Sequence, residues 1–559
     1  MPDSLEREVA TFRSPNALEE GEAAMIPSLV CAALAVASIP ASAGSSSDWN
    51  AARAQHLLNR AGFGGSADEI ARFVAMGEEK AVESLFPDPS KTPPPIVLGR
   101  ASLPGDLVDP VEGLATIEDR RQGYVRLLPD LIATLNRFGD WWIDRMVAHD
   151  DPVRDHMTIF WHGHFVSSVK EVGNPYAIIE QIRFLRANAL GPFETLVRGI
   201  GRDGAMLRYL NNDTNVAAHA NENWARELME LFSLGDGNYT EQDIKESARA
   251  FTGWSQESSH FVYHRLDHDF GQKTFLGTTG NFDGDMVIGI ILRQPACGRF
   301  LANKIITYFE GVPPTAERAE DYAAFLRANQ YDIGKMLKRL FHDPAFYREE
   351  VLADRVSGPI EYLVGSARRL GVAPPSQLVL AGGDMLGQKL FWPPSVKGWD
   401  GGTTWVTTAA MMHRSNVVGA LLGVVDTEKL VSGAAADASD PMAGGGARVS
   451  KKLPQAGTGL GLIGFIQLSG WQPKVELHKA LASIGTQPND AAIAGRLVES
   501  LLAVPADAPV VAGVTEYLKS QREAAGIKEG ELLAAGDKGE PILRRTAHLI
   551  LSLPEAQLN

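Results

Sequence analysis

The stretch from Asn211 to Leu234 limits the possible folds most strongly, because a polar run passes into an amphipathic helix without a break. Its apolar side chains recur at the spacing that places residues on one face of a helix. These residues are Trp224, Leu228, Leu231 and Phe232. We therefore predict a helix that buries one face in a core of other helices, with the polar residues close to its start.

Helical patterns fill most of the remaining chain. Ser66 and Glu69 have the spacing of a capping box, in which two side chains three residues apart satisfy backbone N–H groups at the start of a helix. Thr240 and Asp243 have the same spacing, and the helix that they open is predicted to carry Trp254. A chain with so many helical segments is expected to form layers of packed helices.

The pattern changes between Phe261 and Asp285, where residues alternate and glycines and aromatic residues are frequent. Such a segment is typical of a β-hairpin or an irregular insertion. We therefore predict a mainly α fold, with a large multi-helix domain, a small β-hairpin or irregular insertion near 260–284, and a short helical C-terminal tail.

Composition and pattern divide the chain into four parts. They are an N-terminal extension at 1–45 with a signal peptide at 26–43, a helical domain at 49–424, a linker rich in Gly, Ala and Ser at 425–470, and a C-terminal helical region at 471–559.

The signal peptide is predicted from an apolar run between Ile26 and Gly44 that ends in Ala-Ser-Ala. Residues 1–24 carry more acidic than basic side chains and place no Lys or Arg directly before the run. Either Met25 is therefore the true start, or the chain is not exported. Pro40 interrupts the run, which is too short to span a bilayer stably. We predict a periplasmic or secreted protein, or a cytoplasmic one if the run is not a signal peptide.

The charge balance argues against two classes of partner. The chain has 68 acidic and 53 basic residues, which give a formal net charge of −15. Neither nucleic acid nor an anionic membrane is therefore expected to bind, and a polymer or small molecule of unknown identity is the expected ligand. Cys31 and Cys297 are the only cysteines, which excludes a disulfide framework or a zinc site built from several cysteines.

Several ordered motifs identify the chain as a member of a bacterial family of uncharacterised function. They are HLLNRAGFG (56–64), RMVAHDDPVRDHMTIFWHGHF (145–165), NPY (174–176), NENWARELMELFSLGDGNYTEQDI (221–244), ARAFTGW (248–254), HDFGQKTFLG (268–277), GNFDGD (280–285) and PPSVKGWDGGTTW (393–405). They resemble the DUF1800 family over Trp49 to Gly423. The resemblance implies a mainly helical, often exported protein and brings no established reaction, so the chemistry has to be inferred from the residues.

Our first hypothesis is a hydrolase of an extracellular or envelope polymer, such as a glycan. Two of Glu222, Glu227 and Asp213 would act as an acid/base pair, because carboxylates in different environments can divide these roles. Glu227 is expected to be half buried, where a carboxylate needs an Arg, His or metal partner. Side chains that could bind the substrate are Arg226, Asn212, Asn221, Asn223, Lys273 and Asp269.

A second hypothesis is an enzyme that uses a divalent metal as its cofactor. Its candidate ligands are His162 or His164, His219, Asp213 and Glu227, with His268 as a further candidate. In a helix His162 and His164 would point to different sides, so a shared metal requires that the segment is extended or that the helix has just ended. The alternative is that one of the two packs or caps while the other faces a cleft.

A third hypothesis is a non-catalytic envelope or surface protein. Glu222 and Arg226 lie four residues apart, a spacing that opposite charges commonly use on a solvated helix for a stabilisation of ~0.3 kcal/mol per pair. In that case the polar residues would fix helix contacts only.

Overall fold

Helices dominate the computed structural model, which describes residues 49–88, 117–352, 355–424, 471–503 and 506–559. The predicted signal peptide and the predicted linker lie outside these residues. In the described part of the chain, nine α-helices lie before the polar run. They are α1 (Ala51–Gly62), α2 (Ala67–Met76), α3 (Glu78–Ser84), α4 (Ile117–Ala148), α5 (Pro152–His164), α6 (Val169–Val172), α7 (Pro175–Asn188), α8 (Phe193–Gly201) and α9 (Gly204–Tyr209).

Two helices carry the central motif, and a widened turn follows the first of them. The elements are a 3-10 helix at Asn212–Thr214, α10 (Asn223–Glu227), a π-helix at Leu228–Ser233 and α11 (Glu241–Ala250). The predicted apolar face is confirmed, because Trp224, Leu228 and Phe232 are buried and Leu231 packs against the core while partly exposed.

Both predicted capping boxes are present. The Glu69 backbone N–H donates to Ser66 Oγ at 3.3 Å, and the Ser66 N–H donates to Glu69 Oε2 at 2.9 Å. At α11 the Asp243 N–H donates to Thr240 Oγ1 at 3.2 Å, and the Thr240 N–H donates to Asp243 Oδ2 at 2.9 Å. Both helices therefore begin where the local sequence predicts.

Two antiparallel hairpins follow α11. Strand β1 (Trp254–Glu257) pairs with β2 (His260–Tyr263), and β3 (Lys273–Phe275) pairs with β4 (Thr278–Gly280). The prediction that Trp254 lies on a helix is wrong, because α11 ends at Ala250 and Gly253 adopts a φ of 79°. That conformation breaks a helix. The insertion therefore starts a few residues earlier than predicted.

The rest of the domain is again helical. Its helices are α12 (Gly284–Leu292), α13 (Pro295–Glu310), α14 (Ala316–Ala328), α15 (Ile333–Phe341), α16 (Glu349–Leu352), α17 (Pro359–Leu370), α18 (Ser376–Met385) and α19 (Thr408–Leu422). The C-terminal region adds α20 (Leu477–Ala480), α21 (Asp490–Leu501), α22 (Ala508–Ala524) and α23 (Glu540–Leu551). Further 3-10 turns occur at Arg265–Asp267, Pro344–Tyr347, Gly402–Trp405, Ala482–Ile484, Gly536–Lys538 and Pro554–Gln557.

The C-terminal helices share the core of the large domain. Tyr362 on α17 donates a hydrogen bond from its hydroxyl to the Leu551 carbonyl at 2.9 Å, and the buried Arg414 donates to Gln557 Oε1 at 3.1 Å. The C-terminal region is therefore packed onto α17 and α19. Among the described helices, none combines the length and the apolar composition that a bilayer crossing requires.

Candidate functional site

A π-helix at Leu228–Ser233 continues α10 and distinguishes the central motif from an ordinary surface helix. The Leu234 N–H donates to the Met229 carbonyl at 2.9 Å, which lies five residues back instead of the usual four. π-helical turns are rare and occur frequently at functional sites. The residues around this turn are therefore candidates for a functional site.

Glu227 and Glu230 lie at the start of the widened turn. Glu227 is half buried, and burial, followed by the nearby charge of Glu230, raises the pKa of its carboxyl above the ordinary value. Arg226 and Lys397 lower that pKa as nearby charges, but among the described residues neither donates a hydrogen bond to Glu227. The expected half-burial of Glu227 is confirmed, whereas the expected close cationic partner is not seen among these residues.

Two tyrosines lie beside this carboxylate pair. The Tyr239 hydroxyl donates a hydrogen bond to Glu230 Oε2 at 3.4 Å, and burial together with Glu230 raises the pKa of Tyr239 to about 12. Burial, and then the charges of Glu171 and Glu227, raise the pKa of Tyr209. Both phenols thus stay protonated at neutral pH and can donate hydrogen bonds. We name this group the Glu227 site and define it as Tyr209, Glu227, Glu230, Tyr239 and Lys397.

Lys397, whose charge acts on Glu227, belongs to a loop that packs on the end of α5. The Phe391 N–H donates to Nε2 of the buried His162 at 3.1 Å, and the Trp399 ring lies edge-on to His162 with centroids 5.2 Å apart. Gly398 has a φ of 82°, and a Cβ there would lie 2.4 Å from the Gly163 carbonyl oxygen, so only glycine fits. We name residues 391–399 the Lys397 loop.

His164 lies on the opposite side of α5 and contacts the π-helix. Its Nε2 lies 3.1 Å from the Phe232 carbonyl, and Lys304 Nζ on α13 lies 3.1 Å from His164 Nδ1 and 3.1 Å from the Leu231 carbonyl. Burial lowers the pKa of Lys304 to about 8 and holds that of His164 well below its ordinary value. His162 and His164 thus face different parts of the fold, as their spacing predicts.

The other two candidate histidines lie elsewhere. His219 is exposed in a turn closed by its N–H bond to the Val216 carbonyl at 2.9 Å. His268 is buried, bonds through Nδ1 to the Thr252 carbonyl at 2.8 Å and packs on Phe270. Within the described ranges no three His, Cys, Asp or Glu side chains form a group that could hold a metal ion. The structure therefore does not bring the four histidines together.

Glu222 and Arg226 form part of an exposed ion triad. Arg226 donates to Glu222 at 3.2 Å and to both carboxylate oxygens of Glu241 at 2.9 and 3.0 Å. About a third of the Arg226 and Glu222 side chains is exposed, with 35% for each. Asn223 is exposed at the first position of α10. These contacts match the predicted solvated helix pair, with Glu241 as an additional member.

The asparagines and Asp213 before α10 order the chain itself. Asn212 Nδ2 bonds to the Trp254 carbonyl at 3.4 Å, and Asp213 Oδ2 accepts from Gln256 Nε2 at 3.3 Å. Asn221 Nδ2 donates to the Asn211 carbonyl at 3.1 Å. These contacts join the polar run to itself and to the first hairpin.

Lys273 and Asp269 are bound within the second hairpin region. Lys273 is buried, and its Nζ donates to the carbonyls of Asp269 at 2.5 Å and Gly271 at 3.1 Å. Asp269 accepts from Arg249 at 2.7 and 3.2 Å, and this pairing is the main reason that its pKa is lowered. Both side chains are thus occupied by intramolecular contacts.

Sequence reasoning missed most of the Glu227 site. Glu230 lies four residues after Arg226, which on a regular α-helix indicates a solvated charge pair, whereas the structure places it in the π-helix. Lys397 lies in the motif PPSVKGWDGG, which could have drawn attention to it. Tyr209 and Tyr239 have no local signal, because only the tertiary fold brings them to the turn.

The comparisons with known proteins identify a family only. The sequence profile described as protein of unknown function (DUF1800) matches residues 56–558. The match extends over the C-terminal helices, beyond the range of the motifs. No curated protein and no solved structure matches the chain.

Proposed function

We propose that this chain, which belongs to the DUF1800 family, is a hydrolase of a glycan-like extracellular or envelope polymer. The reactive groups in this proposal are Glu227 and Glu230. The observation that supports it best is the half-buried Glu227 carboxyl, whose pKa is raised by burial and by Glu230. Carboxylates with displaced pKa values in a partly exposed position are enriched among catalytic acids.

In the proposed mechanism, Glu227 is the general acid. Its raised pKa allows it to hold a proton closer to neutral pH and to deliver it to the oxygen of the leaving group. Glu230 acts as the base that activates water, or as the nucleophile. The Tyr239 hydroxyl bonds to Glu230 and thereby orients that carboxylate.

The remaining groups of the site suit a hydroxyl-rich substrate. Tyr209 is half buried and protonated, so its hydroxyl can donate to a sugar oxygen. Lys397 is exposed on the opposite loop and can bind a substrate oxygen or a carboxylate. In this proposal Glu222 and Asp213, which are engaged with Arg226 and Gln256, support the local fold and do not react.

Export is part of the proposal. A polymer substrate outside the cytoplasm requires secretion, and the apolar run at 26–43 with its Ala-Ser-Ala ending supports it. We propose a periplasmic or secreted location on this basis.

The proposal can be tested with the full chain and a panel of polymers. Release of reducing ends would be measured from peptidoglycan sacculi, chitin and xylan. Glu227→Gln is expected to lower the rate by about 100-fold or more, the usual effect of losing a general acid. Glu241→Gln serves as the matched control, because it removes a neighbouring carboxylate from the exposed ion triad.

Two results would contradict the proposal. A polymer that is cleaved equally well by Glu227→Gln would exclude Glu227 as the acid. If no polymer is cleaved or bound, a non-catalytic envelope protein becomes the better explanation.

A further inference from the structure

The Glu227 site includes two parts that are distant in the sequence. Glu227 and Glu230 belong to the turn around the π-helix, whereas Lys397 belongs to the Lys397 loop. The last turn of α5 lies between them, with His162 facing the loop and His164 facing the π-helix. The relative position of the two parts therefore depends on this turn.

His162 holds the loop through a strained residue. Phe391 has a φ of 69°, a left-handed conformation that costs free energy for a residue with a side chain. Its N–H donates to His162 Nε2, and its carbonyl accepts from the Val169 N–H at 3.0 Å. Since a backbone N–H can only donate, Nε2 of His162 must be unprotonated, and the ring proton lies on Nδ1.

His164 is inferred to have the opposite tautomer. The Phe232 carbonyl can only accept, so Nε2 of His164 carries the proton. Its Nδ1 then accepts a hydrogen bond from Lys304 Nζ, which also donates to the Leu231 carbonyl. These two carbonyls lie at the end of the π-helix, where no further helical N–H follows to bind them.

We propose that His162 and His164 are positioning residues, which hold the Lys397 loop and the π-helix in register across α5. Lys304 completes the contact on the π-helix side. The inference rests on the proposed function only in taking the Glu227 site as the reactive one. In this proposal the imidazoles of His162 and His164 are neutral and have opposite tautomers. Their role is hydrogen bonding and not metal binding or proton transfer.

Burial keeps both histidines suited to this role. Both rings are buried, and burial lowers the pKa of His162 to about 3. For His164, burial comes first and the charge of Lys304 second in lowering the pKa. A protonated His162 could not accept from Phe391, so the contact with the loop is kept throughout the neutral range.

The first test is spectroscopic and uses the wild-type chain. Long-range ¹H–¹⁵N NMR of histidine-labelled protein distinguishes a ring protonated on Nδ1 from one protonated on Nε2. We expect His162 to carry its proton on Nδ1 and His164 on Nε2, with signals assigned through His162→Gln and His164→Gln. The same tautomer at both positions, or a protonated ring at pH 7, would overturn the inference.

The second test compares two variants with one matched control. His162→Phe is expected to increase amide exchange at 391–399 by roughly tenfold, and Lys304→Met to do so at 228–235. Lys273→Met is the control, because it also removes a buried lysine that donates to two carbonyls. It should accelerate exchange in neither segment. The proposal would be contradicted if all three variants had the same amide exchange rates at 391–399 and 228–235. It would also be contradicted if exchange changed in neither segment.

The third test measures the pKa of Glu227 by carboxyl NMR and shows whether the two parts of the site influence each other. His162→Phe is expected to release Lys397, whose charge lowers the pKa of Glu227, so that pKa should rise. Lys304→Met exposes the turn and should lower the same pKa. His162→Gln keeps an acceptor for Phe391 and should restore the wild-type value. If the pKa of Glu227 in His162→Phe and in Lys304→Met equals the wild-type value, the histidines are packing residues only. None of these measurements needs a substrate. A result that contradicts this inference is therefore distinct from a result that contradicts the hydrolase proposal.

Discussion

Two groups of charged residues in this molecule contain a glutamate removed from water, and they differ in how that charge is compensated. In the core, Glu361 Oε1 lies 2.5 Å from His156 Nε2 and 2.5 Å from Arg355 Nη2. At the Glu227 site, the largest effect on the Glu227 carboxyl after burial comes from the charge of a second carboxylate, Glu230. The first arrangement compensates a charge, whereas the second adds a like charge.

The pKa values follow from this difference. Burial opposes ionisation of Glu361, but Arg355 and then His156 outweigh it and hold the pKa well below the ordinary value. Burial lowers the pKa of His156, so its imidazole is neutral and donates to Glu361. Glu227 has its pKa raised instead. Depth of burial alone therefore does not decide the direction of the pKa shift, because the charges next to each carboxylate contribute as well.

The largest expected effect is on stability, from Glu361→Gln. The change leaves the mostly buried Arg355 without its carboxylate, and breaking a buried pair costs about 3–5 kcal/mol. Glu361 also accepts from the Gly358 N–H at 2.9 Å at the start of α17, which adds to the loss. Tm should fall by several degrees in thermal unfolding followed by circular dichroism. A Tm within a degree of wild type would show that Glu361 is not structural.

The second prediction concerns the pH dependence of stability, which should have opposite signs at the two glutamates. The pKa of Glu361 is lowered on folding, so its stabilisation is present above the unfolded pKa of about 4.3 and is lost as the pH falls. The pKa of Glu227 is raised, so its contribution is present below that value and is lost as the pH rises.

Comparison of variants at pH 7, pH 4.5 and pH 3 checks these signs. The Tm difference between wild type and Glu361→Gln should persist at pH 4.5 and narrow at pH 3, which lies below the unfolded pKa. Glu227→Gln should match or exceed wild-type Tm by about 1–2 °C at pH 7 and lose this advantage at pH 4.5. A Glu227→Gln variant that is several degrees less stable at pH 7 would place Glu227 with the structural carboxylates.

Local patterns were sufficient to predict the parts of the fold that local interactions decide. The capping boxes at Ser66 and Thr240 are correct because each depends on residues three apart. The spacing of Trp254 from the preceding apolar residues predicts a helical position. Gly253 has a φ of 79°, which a helix does not allow, so Trp254 lies outside the helix. The π-helix could not be predicted, since its hydrogen bonds compete closely with those of an α-helix and are selected by tertiary contacts.

The site itself was predicted only in part, for a related reason. The half-burial of Glu227 follows from its place beside Trp224 and Leu228 on one helix. Its neighbours Lys397 and Tyr209 come from other elements, and no spacing along the chain indicates them. Candidate histidines were identified as a set because their residue type suits metals, while their actual partners are carbonyls, a lysine and a backbone N–H.

The smallest predicted effect is that of Arg226→Gln, which tests whether distant charges tune Glu227. Arg226 is bound to Glu222 and Glu241 at the surface and lowers the pKa of Glu227 only through its charge. An exposed ion triad contributes little to stability, so Tm should change by no more than about 1 °C. The pKa of Glu227 should rise, and in the proposed mechanism the alkaline limit of activity should move upward with it, because the proposed general acid must be protonated. At 1 M salt the screening length falls to about 3 Å, and the difference between variant and wild type should disappear. If this difference persisted at high salt, Arg226 would influence Glu227 through the shape of the turn. The difference between Glu361 and Glu227 would then depend on helix geometry as well as on the neighbouring charges.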